Sequence, residues 1–150
     1  MQVARNSGWS IHLGNKVKTE ATVKNSLSDS ILQYVTNGDI TLVACLERTY
    51  QNFKIKYSNL GDGEIESMAI AFDCPTKLVK PYIILSDDGT ARNKAMVLGI
   101  SFLGIVSFFI LANKQGILMK DQAIKYVEVL RQNNFSLKEN VYNKFLLTLN

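Results

Sequence analysis

"AMVLGISFLGIVSFFILA", residues Ala95 to Ala112, runs for eighteen residues without a charge. Its reading decides the fold, because a bilayer span needs about twenty mostly apolar residues, whereas a buried strand and a short helix need far fewer in each run. Gly99 and Gly104 divide the stretch, Ser101 and Ser107 interrupt it, and Arg92, Lys94 and Lys114 stand close on either side. The segment before it settles the choice. "PYIILSDDGTARNKAMVLGI" reads as a strand over Tyr82–Leu85, a polar turn at "SDDGT" and a helix from Ala91 to Leu98. Gly99 is then the residue after the helix, where a left-handed backbone favours glycine. "ISFL" gives a second strand and Ile105–Lys114 a second helix, closed by Gly116. Strands buried on both faces of a parallel sheet read as unbroken apolar runs, so the missing charge belongs to a protein core.

Outward toward the C-terminus, "DQAIKYVEVLRQNN" places Ala123, Ile124, Val127 and Leu130 on one helical face with charges opposite. "FSLKENVYNKFLLTL" carries Ser136 and Glu139 in the S-x-x-E spacing of a capping box, with Leu137, Val141, Phe145 and Leu146 as the expected buried stripe. Toward the N-terminus, "GDGEIESMAIAFD" is an amphipathic helix with Ile65, Met68, Ala69 and Phe72 inward and Asp62 as the expected N-cap. Before it, "GWSIHL" alternates like a strand, "SDSILQYV" fits a short helix, and "DITLVACLERTY" fits either type.

The bulk numbers agree with a globular chain. One hundred and fifty residues can bury a substantial core, and 47% hydrophobic with 20% charged residues excludes a disordered composition. The net charge of +4 is compatible with an anionic partner, yet the basic residues are scattered and form no basic tract. Cys45 and Cys74 lack metal spacing and sit in apolar surroundings, which predicts buried free thiols in a reducing compartment. "MQVARNSGWSIHLGNK" lacks the apolar run of a signal peptide, so the expected location is cytoplasmic, with no membrane association.

Two acidic clusters are the chemical candidates. Glu64 and Glu66 open a helix; Asp87 and Asp88 directly follow a strand, where ligands gather in open parallel sheets. Converging carboxylates hold a hard cation such as Mg²⁺, which can activate water for phosphodiester hydrolysis. The same residues also serve ordinary structural ends, as acids in a first helical turn and as turn or N-cap residues. Arg92 and Lys94 are candidate contacts to a nucleic-acid backbone. His12, the one histidine, has no assignable nucleophile or carboxylate partner, and Trp9 reads as packing on the sheet, with stacking on a base as the alternative. "DDGTAR" is no phosphate loop, since it lacks the G-x-x-x-x-G-K-[ST] pattern.

These residues taken in order resemble a PIN-domain-like family, in the uncharacterised prokaryotic branch related to the ribonucleases of toxin–antitoxin pairs. The resemblance rests on Gly63, Glu64 and Glu66; Asp87 and Asp88; Ala91 and Arg92; Leu98 to Ile100; Gly104; Ala112, Lys114, Gly116 and Ile117; and Leu130 to Tyr142, with "ARNSGW" at Ala4 to Trp9 as a further patch. It implies a single domain over 1–150, with 1–59 divergent and 60–146 family-like. The implied fold is a three-layer α/β/α sandwich around a parallel sheet. The implied activity is a Mg²⁺- or Mn²⁺-dependent endoribonuclease acting on single-stranded RNA. Glu64 or Glu66 matches the helix-borne acid of that family, both remaining open, and Asp88 with Asp87 matches the acid after the strand.

Family members open with a strand carrying an aspartate in a D-[AST]-[SG] pattern, which does not precede "ARNSGW" here. The expectation is therefore an N-terminally truncated or degenerate member lacking one metal ligand and a central strand. The unpaired edge left behind favours pairing with another chain. The alternative function is a non-catalytic interaction module that self-associates as a homo-oligomer or binds an antitoxin-type protein.

Overall fold

A computed structural model describes residues 8–24, 28–74 and 82–150. Residues 4–7 of the "ARNSGW" patch lie outside the described residues. The chain divides into two compact units, of which Trp9–Leu103 is the larger. Its elements follow in the order β1 (Ile11–Gly14), α1 (Asn15–Lys24), α2 (Ser28–Thr36), β2 (Ile40–Val43), α3 (Glu47–Lys56), α4 (Asp62–Asp73), β3 (Ile83–Leu85), α5 (Gly89–Val97) and β4 (Ser101–Leu103). "DITLVACLERTY" thus holds both types in succession, β2 and then the start of α3.

The strands pair in parallel, which needs a crossover connection, here supplied by the intervening helices. β1 lies beside β2 with Ile11 opposite Ile40, and β3 beside β4 with Ile83 opposite Ser101. Among the described residues these are two separate pairs. Helix α4 contacts both, touching β1 and β3 while packing on α1 and α3. Its inward face buries Ile65, Met68 and Ala69 completely, and they form one core with Tyr50, Phe53 and Ile100. This is the mixed α/β architecture with parallel strands that the patterning implied.

Three local expectations are corrected. The N-cap of α4 is Gly61, with Asp62 the first helical residue, and Phe72 at the far end is exposed. Strand β3 is not buried on both faces. It alternates, with Ile84 against the core and Ile83 and Leu85 53% and 49% exposed, because only three residues pair and one face meets the helices. Cys45 and Cys74 are free thiols, half-buried rather than fully enclosed. The glycine stop at Gly99 stands as read: φ is +69°, and the N–H of Ile100 turns back to the carbonyl of Ala95.

The second unit, Gly104–Asn150, holds α6 (Ile105–Lys114), α7 (Lys120–Gln132) and α8 (Glu139–Thr148), with α6 in contact with both other helices. Helix α6 answers the question posed by the apolar stretch. It is ten residues long, and no helix of the described residues is long and apolar enough to cross a membrane. It closes on Gly116 at φ +70°, with the N–H of Ile117 returning to Ala112, which repeats the Gly99 arrangement. Asn113 is buried with both ends of its amide bonded: its Nδ2 donates to the Leu118 carbonyl and its Oδ1 accepts from the Asn150 N–H. The expected Ser136–Glu139 capping box does not form. Lys138 is the N-cap of α8, and Glu139 pairs with Arg131 at 2.9 Å. That start turns the helix so that Tyr142 and Phe145 are buried and Val141 faces solvent.

Candidate functional site: an acidic cleft at the start of helix α4

The N-terminus of α4 leaves backbone N–H groups without helical partners, and two carboxylates answer them. Glu64, the third residue of the helix, reaches back so that its Oε2 accepts from the Gly61 N–H at 3.0 Å. Glu20, one turn before the end of α1, accepts from the Gly63 N–H with Oε1 at 3.0 Å. Gly63 permits that approach, since a Cβ there would lie 3.1 Å from Val17 and 3.0 Å from Glu20 Oε2. Glycine at this position is what allows α1 to dock on the end of α4.

These residues form one wall of a cleft of about 150 Å³. Val17, Glu20, Gly63, Glu64, Ser67 and Met68 line that side, while Ile84, Leu85 and Ser86 of the β3 end, Ala91 and Phe102 line the other. The cleft opens at the carboxyl end of a parallel strand, the usual place for ligands in this fold class.

Glu66 goes elsewhere. Its side chain is 3% exposed and its Oε2 accepts from the Lys16 N–H at 2.7 Å. A Cβ at Gly14 would overlap this carboxylate. Glu66 also stands beside Cys45, whose thiol is pushed up first by burial and then by the Glu66 charge. Two residues apart on a helix of 3.6 residues per turn, Glu64 and Glu66 point about 200° apart, so they do not share the cleft.

Asp88 is the N-cap of α5, its Oδ1 accepting from the Ala91 N–H at 2.7 Å. Its own N–H donates to the Ser86 hydroxyl at 3.3 Å, which places it just beyond the cleft lining, with exposed Asp87 beside it. Arg92 is exposed on α5, and Lys94 holds its Nζ 5.6 Å from the centre of the Tyr57 ring. His12 lies 3.1 Å by Nδ1 from the Tyr82 hydroxyl, with the rings edge to face, so it has a structural partner. Among the described residues no three His, Cys, Asp or Glu side chains stand together as a metal-binding group.

Sequence reasoning missed Glu20. Its partner is 43 positions away, and the only local signal is that Val17 and Glu20 fall on one helical face.

With this geometry in place, comparison with protein families gives one result. A family model described as a PIN domain matches residues 2–150. The chain belongs to the PIN domain family, a nuclease-type class whose members generally use divalent metals. The match includes residues 15–59, which the motif resemblance left out. No curated protein matches the chain.

Proposed function

We propose that this PIN domain is a divalent-metal-dependent endoribonuclease of single-stranded RNA, working in the cleft at the start of α4. The observation that carries the reading is the pair of carboxylates, Glu20 and Glu64, brought from separate helices to one cleft beyond a strand end.

The donor chemistry suits a hard cation. Mg²⁺ is commonly held by one or two carboxylates, with water and substrate phosphate completing the shell, and the cleft offers two carboxylates and the hydroxyls of Ser67 and Ser86. Glu20 and Glu64 are assigned as the residues that hold Mg²⁺ or Mn²⁺. Asp88, with Asp87, is assigned to the rim of the site. Held by these residues, a divalent ion would supply a bound water of lowered pKa and would offset the charge that develops on a phosphodiester during hydrolysis. Val17, Met68, Ile84 and Phe102 line the cleft beside the carboxylates with apolar surface, which lowers the local polarity and strengthens charge interactions there. Glu66 is assigned no chemistry; it fixes the end of α1.

The test is cleavage of single-stranded RNA with Mg²⁺ or Mn²⁺, abolished by Glu64→Ala. A folded wild-type protein that leaves every RNA intact with either metal rejects the reading.

A second reading, self-association of two copies as a non-catalytic module, is favoured by the exposed Ile83 and Leu85 of β3. Light scattering decides it: a monomer across the accessible concentration range excludes it.

A further inference from the structure

Four lysines of the larger unit gather around two buried tyrosines. Tyr50 and Tyr57, in and just after α3, are 2% and 4% exposed, so their rings are fixed platforms. Lys16 of α1 holds its Nζ 4.4 Å from the Tyr50 ring centre, and Lys54 of α3 lies 5.7 Å from the same ring. Lys56 and Lys94, from α3 and α5, lie 5.4 and 5.6 Å from the Tyr57 ring. Lys54 also pairs with Asp62 at 3.1 Å, which ties this group to the first turn of α4, on the face turned away from the Glu64 side chain.

We infer that Lys16, Lys54, Lys56 and Lys94 form a phosphate track that holds the backbone of single-stranded RNA across the α3 side of the α4 start. The inference rests on the nuclease reading for its ligand and goes beyond it in naming the residues that bind. A polyanion approaching Glu20 and Glu64 is repelled unless cations offset them, and three helices supply these four ammonium groups around the Tyr50 and Tyr57 rings. Attraction to the ring faces pre-orders side chains that would otherwise lose rotamer freedom on binding. Lysines recruited in this way bind phosphate without reading sequence, so the track predicts strong salt dependence and little base preference.

The experiment measures anisotropy of a fluorescein-labelled oligouridylate against the full chain in EDTA, where no metal-dependent cleavage occurs, over about 50 to 200 mM salt. Four engaged phosphates give a slope of log affinity against log salt of about −3, from roughly 0.7 for each single-strand contact. Each single substitution, K16A, K54A, K56A or K94A, is expected to reduce the slope by about 0.7. The quadruple variant abolishes binding while K125A/K144A, on the other unit, leaves it unchanged. Circular dichroism confirms that the variants are folded. Unchanged binding by the folded quadruple variant, an equal loss in K125A/K144A, or no binding by the wild type overturns the track. Equal affinity for polyglutamate assigns the surface to an acidic protein and overturns the RNA assignment. The two readings fail separately. RNA bound through these lysines but not cut with Mg²⁺ or Mn²⁺ removes the nuclease and keeps the track; RNA cut by a protein whose lysine variants bind normally does the reverse.

Discussion

The N–H of Lys16 donates a 2.7 Å hydrogen bond to Oε2 of Glu66, and one turn further along α1 Glu20 accepts from the Gly63 N–H of α4. Each helix therefore supplies the carboxylate that satisfies the first turn of the other, where orphan N–H groups and the helix dipole both favour an anion. Glu66→Ala leaves a part-buried N–H without its acceptor and is expected to lower stability by about 1–3 kcal/mol. Glu66→Gln, which keeps an acceptor, loses less. Gly14→Ala, which forces a methyl group onto the Glu66 carboxylate, is expected to destabilise by a similar 1–3 kcal/mol, an estimate of about the usual size for overpacking. Urea denaturation of the three variants checks the order.

The Cys45 thiol reports on the same carboxylate. Burial pushes its pKa up and the Glu66 charge pushes it further. Because the thiolate is the nucleophile, alkylation of Cys45 by iodoacetamide near neutral pH is expected to be slower than that of a free thiol. It should accelerate in Glu66→Gln. Measuring both in a Cys74→Ser background isolates Cys45, and equal rates with and without the Glu66→Gln substitution would show that the charge is not felt.

Stability and cleavage should separate at the cleft. Glu20→Ala and Glu64→Ala each remove a cap, for a loss of about 1 kcal/mol, while cleavage falls by more than about a hundredfold, beyond what loss of an outer-shell partner produces. Asp88→Ser keeps a capping oxygen for Ala91, so stability should stay within about 0.5 kcal/mol while cleavage falls about 10- to 100-fold. Thermal denaturation and initial cleavage rates on the same samples make the comparison. An Asp88→Ser protein with full activity removes Asp88 from the chemistry.

The Lys54–Asp62 pair sets an acid limb. The Lys54 ammonium, hydrogen-bonded to Asp62, holds that carboxyl below its ordinary value of 3.8. A depressed carboxyl contributes stability above its unfolded pKa and loses it as pH falls through the folded pKa. The contribution is small because the pair is exposed. Below about pH 4, Asp62→Asn should therefore show a shallower fall in Tm than the wild type, and added salt should shrink the difference.

Much of this was readable along the chain. Ile65, Met68 and Ala69 mark the buried face of α4 at helical spacing, and Gly99 and Gly116 close two helices because each takes a positive φ. The divided apolar stretch, Ala95 to Ala112, gives the end of α5, β4 and most of α6 in the expected order. Glu64 and Glu66 could also have been told apart, since positions i and i+2 cannot share one side of a helix. The start of α8 was not readable. Ser136 and Glu139 satisfy a capping pattern, but the local backbone begins its helix at Glu139 instead.

Sequence by itself determined the period of each element and where glycine must stop a helix, because those depend on neighbours within one or two turns. Only the tertiary structure decided which carboxylates meet. Glu20 reaches Gly63 across 43 positions and Glu66 reaches Lys16 across 50. Such pairs form because two helix ends, each short of acceptors, are packed side by side, and no local pattern records which ends those will be.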